Sequence, residues 1–241
     1  MNSNLININN LSVNYGKTTV LEDINISIPR GEITVILGGS GCGKTTLLKS
    51  MLKLQPLAAG SIKIFNRNIK SSEFNQELKK IGMVFQNGAL LNSITVRNNI
   101  SIPLKHHTNL PDEIIDRIII SKLKLVNLEG AGHLLPAELS GGMKKRAAVA
   151  RAIALDPVLL FCDEPSAGLD PITSASLDNL LIKLKQQLDM TMVIVTHELA
   201  SVRRIADNII FLHEGKILFQ GSYNEIQNSD NRHIQEFFSS N

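Results

Sequence analysis

Residues 33–45 limit what this chain can fold into more than any other stretch. The apolar run Ile33-Thr34-Val35-Ile36-Leu37 leads directly into Gly38-Gly39-Ser40-Gly41-Cys42-Gly43-Lys44-Thr45, which fits G-x-x-x-x-G-K-[ST]. The helix-forming Leu47-Leu48-Lys49-Ser50-Met51-Leu52 follows. A strand that turns through glycines into a helix aims several backbone N–H groups at one point. The helix N-terminus adds partial positive charge, and residues without side chains let the backbone come close, so that point suits phosphate. Lys44 is placed to reach the β- and γ-phosphates of a nucleotide. The Thr45 hydroxyl is placed for Mg²⁺, and Thr46 stands beside it on the phosphate side. A strand–loop–helix of this kind belongs to an α/β fold.

The remaining sequence bounds the reading. At 241 residues the chain is one large domain or two small ones, with 43% hydrophobic and 20% charged residues, an ordinary globular composition. A net charge of +3 is too weak to make nucleic acid the main ligand. Trp is absent and aromatics are 4%, so there is no stacking platform for single strands either. Cys42 and Cys162 are not spaced as a metal site and read as free thiols in a reducing compartment. No apolar stretch reaches the ~20 residues that span a bilayer. Met1-Asn2-Ser3-Asn4 lacks the basic and apolar regions of a secretory signal. The expectation is a cytosolic protein, or one held at a membrane by a partner.

Periodicity divides the chain into textures. Leu5, Ile6, Ile8, Leu11 and Val13, then Val20 to Ile28, alternate as strands around a turn at Asn14-Tyr15-Gly16-Lys17. A short strand pair is expected around Gly60–Ile69, and the run Ile81-Gly82-Met83-Val84-Phe85 ends at Gln86. From about Asn87 to Leu155 the pattern is helical. One helix is expected to open at Pro111-Asp112-Glu113, another at Ser140-Gly141-Gly142. Val158–Cys162 and Thr191–Val195 read as buried parallel strands separated by a helix over Ser174–Leu188. Ile209–Leu212 and Lys216–Phe219 form a hairpin, and the end is helical around Ile234–Phe238. The helical middle reads as an insertion into an α/β core.

Two further motifs turn a phosphate site into a candidate enzyme. Val158-Leu159-Leu160-Phe161-Cys162 ends in Asp163-Glu164, one acid for Mg²⁺ and one to polarise water. Leu139-Ser140-Gly141-Gly142-Met143 taken alone is a helix N-cap. In this order after the phosphate loop and before the acids, it resembles the signature of ABC (ATP-binding cassette) ATPases, and the resemblance covers residues 5–220. It implies a single ABC domain over 1–241: a P-loop NTPase core (1–86 and 156–220) with an N-terminal antiparallel β subdomain, an inserted helical subdomain (87–155) and a short tail (221–241). It implies ATP hydrolysis, with Tyr15 stacking on adenine and residues 38–46 on the phosphates. Gln86, with Thr45 and Asp163, attends Mg²⁺. Glu164, His197, Gln86 and Lys44 are the catalytic set. Asp170 of Ala167-Gly168-Leu169-Asp170 lies at a dimer seam, where Ser140, Gly141 and Gly142 of one copy close on the nucleotide of the other.

Met143-Lys144-Lys145-Arg146-Ala147-Ala148, Gln86-Asn87-Gly88-Ala89-Leu90-Leu91, Asn98-Asn99-Ile100-Ser101-Ile102-Pro103-Leu104 and the run Asp163–Thr173 resemble one subgroup. It is the ATPases of MCE-type (mammalian cell entry) phospholipid transport systems. That resemblance implies an integral permease, an MCE-domain protein and a small regulatory subunit as partners, at the cytoplasmic face of a bacterial inner membrane. Leu90, Leu91, Ile94 and Val96 either line the groove for a permease helix or are subdomain core. The sequence stops soon after Phe237-Phe238, so the expectation is a chain without the longer C-terminal arm that some members use at the dimer interface. Two other readings stay open: an ATPase of a small-polar-solute importer, which Met143 argues against, and a non-transporting ABC regulatory module.

Overall fold

The computed structural model describes residues 4–239; Met1-Asn2-Ser3 and the last two residues, 240 and 241, lie outside the described residues. In chain order the elements are β1 (Asn4–Tyr15), β2 (Thr18–Pro29), β3 (Ile33–Leu37), α1 (Lys44–Met51), β4 (Ala59–Ile64), β5 (Arg67–Asn68) and α2 (Phe74–Glu77). Then come β6 (Ile81–Val84), α3 (Val96–His107), α4 (Asp112–Leu125), α5 (Gly141–Ala152), β7 (Leu159–Asp163) and α6 (Pro171–Leu188). The chain finishes with β8 (Thr191–Val195), α7 (Leu199–Ile205), β9 (Asn208–His213), β10 (Lys216–Gly221), α8 (Tyr223–Gln227) and α9 (Arg232–Ser239). They group into two compact units: Met1–Leu78 with Thr191–Asn241, and Lys79–Met190.

The first unit holds two sheets. β2, β1, β4 and β5 lie side by side in that order, antiparallel, as the alternating N-terminal sequence leads one to expect. Leu5, Ile6, Ile8, Leu11 and Val13 of β1 are all buried. In the second sheet β3 pairs in parallel with β8 on one side and β9 on the other, and β10 returns antiparallel to β9. All five residues of β3 and all five of β8 are buried. A strand covered on both faces needs no polar alternation, and that is why these segments read as unbroken apolar runs. Each such Ile, Leu or Val contributes roughly 1.5–3 kcal/mol by leaving water. α1 lays Leu47, Leu48 and Met51 into this core.

In the second unit β6 and β7 pair in parallel, and the helices α3, α4, α5 and α6 gather around their own apolar stripes. α4 buries Ile115, Ile119, Lys122 and Leu123, and Lys122 reaches Asp156 in an ion pair that carries its charge through the burial. Pro111 stands at the N-cap of α4 rather than inside its first turn, and Asp112 and Glu113 open the helix at its positive end. α6 begins at Pro171, three residues ahead of the Ser174 start read from periodicity, because Asp170 caps it and Pro171 takes the first helical position. The helical stretch 87–155 falls within this unit.

Candidate active site

In the first unit the parallel register pairs Ile36 with Val195 and Leu37 with Phe211, so β3, β8 and β9 end at one edge. Ligands of open α/β sheets bind outside the carboxyl ends of the strands. The glycine loop leaves β3 at that edge, and His197, exposed, follows β8 there. The turn carrying His197 is fixed from beneath: Thr196 N–H donates to Ile36 O at 3.3 Å, and Glu198 N–H donates to Thr196 Oγ1 at 3.1 Å.

The loop is seated on the turn between β9 and β10. A Cβ on Gly38 (φ 153°) would stand 2.1 Å from Leu212 O and 2.8 Å from Cys42 Sγ, so no side chain fits there. Gly215 N–H donates to Cys42 O at 3.1 Å, and Glu22 N–H of β2 donates to Gly215 O at 2.9 Å. At the other end of the loop α1 starts from Gly43 with no side-chain cap and no acid in its first turn, leaving its positive end to an anion. Lys44 Nζ arches over the loop and donates to Gly38 O and Gly39 O, both at 2.8 Å. Ser40, Gly41 and Thr45 are exposed; Gly39, Lys44 and Thr46 are half-buried. Burial pushes the Cys42 thiol up, which keeps it a neutral thiol at pH 7 despite the neighbouring Lys44. Tyr15 ends β1 opposite Thr18, 47% exposed, on the hairpin whose second strand bonds Gly215.

In the second unit Val84 of β6 pairs with Cys162 of β7, so Gln86 and the pair Asp163–Glu164 leave a common edge. Glu164 has φ 47°, a left-handed backbone uncommon outside glycine. Cys162 is buried, and its thiol is pushed up to about 12 by burial first and the Asp163 charge second. Ser140 caps α5, its hydroxyl accepting from Met143 N–H at 3.3 Å, and Ser140 and Gly141 are exposed. A Cβ on Gly142 would stand 2.6 Å from Thr173 Cγ2, whereas one on Gly141 would meet Leu169 Cδ2 at an ordinary 3.5 Å. Asp170 caps α6 by accepting from Ile172 N–H (3.1 Å) and Thr173 N–H (3.0 Å). The Thr173 hydroxyl, then these backbone bonds, hold its carboxyl below the usual range.

Sequence reading passed over three residues that fasten the loop after Gln86. Lys145 donates to Gln86 O, Arg151 donates to Gly88 O (2.8 Å) and Ala89 O (2.7 Å), and Asn99 brackets the far end. Asn99, fully buried, accepts from Leu91 N–H at 2.8 Å and donates to Leu91 O, Ile94 O and Thr95 O. A signal was present: Lys145 stands i, i+3 and i, i+4 from Ala148 and Val149, a charge among the small apolar residues buried on α5. Of the four residues read as groove or core, Val96 is core, fully buried in α3. Leu91 is 51% exposed, and Leu90 and Ile94 are half-buried.

The family described as ABC transporter matches residues 21–167. The chain belongs to the ABC transporter family. This ABC ATPase is 38% identical over 240 residues to the "intermembrane phospholipid transport system ATP-binding protein MlaF" of Haemophilus influenzae, covering 98% of this chain and 91% of that protein. Among solved structures it resembles cbiO1 of Clostridium perfringens, part of the cbiONQ ABC transporter complex, at TM-score 0.85 and 30% identity over 99% of both chains. It also resembles the ATP-binding cassette MJ0796, a dimer in a post-hydrolysis state bound to ADP and Pi, at TM-score 0.81 and 29% identity over 90% of this chain and 98% of that one. The ABC-type P-loop fold therefore carries the glycine loop, the strand-end acids and the capped Ser-Gly-Gly described above.

Among the described residues no three His, Cys, Asp or Glu side chains gather into a metal cage. Mg²⁺ does not need one, since it is commonly held by one or two protein oxygens together with the phosphates it accompanies. Taken each by itself, the exposed Thr45 hydroxyl of the first unit and the Asp163 carboxylate at the end of β7 in the second are oxygens of that kind.

Proposed function

We propose that this ABC ATPase works as a head-to-tail dimer whose cycle of ATP binding and hydrolysis drives glycerophospholipid transport through an integral permease. The observation that carries the lipid reading is the near end-to-end likeness to an intermembrane phospholipid transport ATP-binding protein. Met143 and the motif Gln86–Leu91 support it from the sequence. In this reading Tyr15 stacks on adenine, and the N–H groups of residues 38–46 and the Lys44 ammonium hold the phosphates. Thr45, Gln86 and Asp163 are the residues that would hold Mg²⁺, which when bound would neutralise phosphate charge. Glu164 orients the attacking water and takes its proton, and His197 adds positive charge near the γ-phosphate. Phosphoryl transfer draws on positioning and charge in this way more than on covalent chemistry. Ser140, Gly141 and Gly142 close on the nucleotide of the second copy, with the α5 N-terminus offering donors.

Among the described residues no helix is long and apolar enough to cross a membrane. Attachment at the cytoplasmic face of an inner membrane therefore runs through partners: the permease, an MCE-domain protein and a small regulatory subunit. Phe85 and Leu91, exposed on either side of the fastened loop, suit contact with a permease helix. The test is purification of the tagged chain from solubilised membranes of its own cells, with mass spectrometry of proteins and lipids. A permease, an MCE-domain protein and phospholipid are expected together. A permease with a solute-binding protein instead, or no permease, rejects the lipid reading and favours the importer or the regulatory module.

A further inference from the structure

We infer that Lys145 is a positioning residue for hydrolysis: its ammonium ties the backbone of Gln86 and the backbone of Glu164 to one point on α5, and so holds both side chains for the attack of water. The inference rests on the site proposed above and adds a residue to it.

Lys145 is only 9% exposed, on the inner face of α5. A buried ammonium persists only where acceptors replace its water, and this one carries three donors and no acceptor. It donates to Gln86 O, and Glu164 O lies 3.5 Å from its Nζ. One cation thus meets both backbones just beyond the paired ends of β6 and β7. Glu164 needs such a hold. Its φ of 47° is a conformation that lasts only where the surroundings over-determine it. The loop beyond Gln86 is fastened along the same helix: Arg151 binds Gly88 O and Ala89 O, and a Cβ on Gly88 would already stand 3.3 Å from Ala148 Cβ. Arg151 acts on the loop alone. Lys145 acts on the loop and the acid together, which makes it the residue through which a shift of α5 reaches both.

The experiment compares the full chain, purified with its membrane partner, as wild type, Lys145→Met, Lys145→Arg and Glu164→Gln. Phosphate release yields kcat and KM, calorimetry yields the ATP Kd, and thermal melting checks folding. Lys145→Met is expected to lower kcat by about tenfold to a hundredfold, the loss that follows when a catalytic group loses its orienting partner. Its ATP Kd is expected to stay within about threefold of wild type, because the phosphate-binding groups are untouched. Lys145→Arg keeps a long cation with several donors and is expected to restore most of the turnover. Should Lys145→Met fail to fold, Lys145→Gln, which keeps a donor, is read in its place. Unchanged kcat, a fall in kcat matched by a fall in ATP affinity, or no recovery in a folded Lys145→Arg protein overturns the inference. Full turnover in Glu164→Gln instead overturns the site on which it rests.

Discussion

Gly38 and Gly39 stand side by side in the phosphate loop and differ in what surrounds them. Gly38→Ala forces a Cβ to 2.1 Å from Leu212 O, whereas a Cβ on Gly39 meets nothing within 4 Å. Gly38→Ala is expected to lower stability by about 1–3 kcal/mol or more, and Gly39→Ala by less than about 1 kcal/mol, both read from denaturant midpoints. Equal losses would mean the loop does not sit on the β9–β10 turn. The motif fixes Gly38 and leaves Gly39 variable; the reason, the Leu212 carbonyl, enters from far along the chain. Cys162 carries a second expectation. Its folded-state pKa of about 12 lies above the ordinary 9.0, so its contribution is fully present below pH 9 and is lost as pH climbs toward 12. Stability should fall by roughly 1 kcal/mol per pH unit in that window from this group, and the slope should be shallower in Cys162→Ala. With Glu164 as the proposed general base, Glu164→Gln should cut phosphate release by at least about a hundredfold while ATP binding by calorimetry persists.

Among the elements, the segment between β6 and α3 shows where local patterning stops being informative. Its periodicity says only that a strand ends and a helix follows. The structure places the segment between Lys145 and Arg151 of α5 at one end and Asn99 of α3 at the other. Asn99→Ala removes bonds to Leu91, Ile94 and Thr95 at once and leaves buried groups to find water. It is expected to destabilise the protein by about 1–3 kcal/mol and to raise amide exchange at Leu91. Exchange unchanged from wild type would show that the loop is held otherwise. The strands were legible because unbroken apolar runs belong to doubly covered strands. The start of α6 was also within reach, because Asp170-Pro171 is a cap followed by a first-turn proline, yet periodicity alone placed it at Ser174. Val96 could not be told from its neighbours Leu90, Leu91 and Ile94, since apolar residues bounding a loop look alike until the packing divides them.

At the level of the whole molecule, the proposed cycle predicts a change in mass. Glu164→Gln with ATP and Mg²⁺ is expected to run at twice the chain mass in light scattering, and to return to one chain with ADP; a single species under both conditions rejects ATP-driven pairing. If attachment runs through the proposed permease, a carbonate wash is expected to strip the chain from membranes that retain that permease. By itself the sequence determined the α/β class, the phosphate loop, the strand-end acids and the order of motifs. Each is written in consecutive residues whose local geometry follows from glycine, apolar runs and helix caps. Only the tertiary structure decided what bars a side chain at Gly38, which apolar residue is core and that Lys145 joins Gln86 to Glu164. The core residue is chosen by packing, and the other two depend on backbone carbonyls brought in from far along the chain, 59 positions in the case of Lys145 and Gln86; a carbonyl has no letter of its own in a sequence.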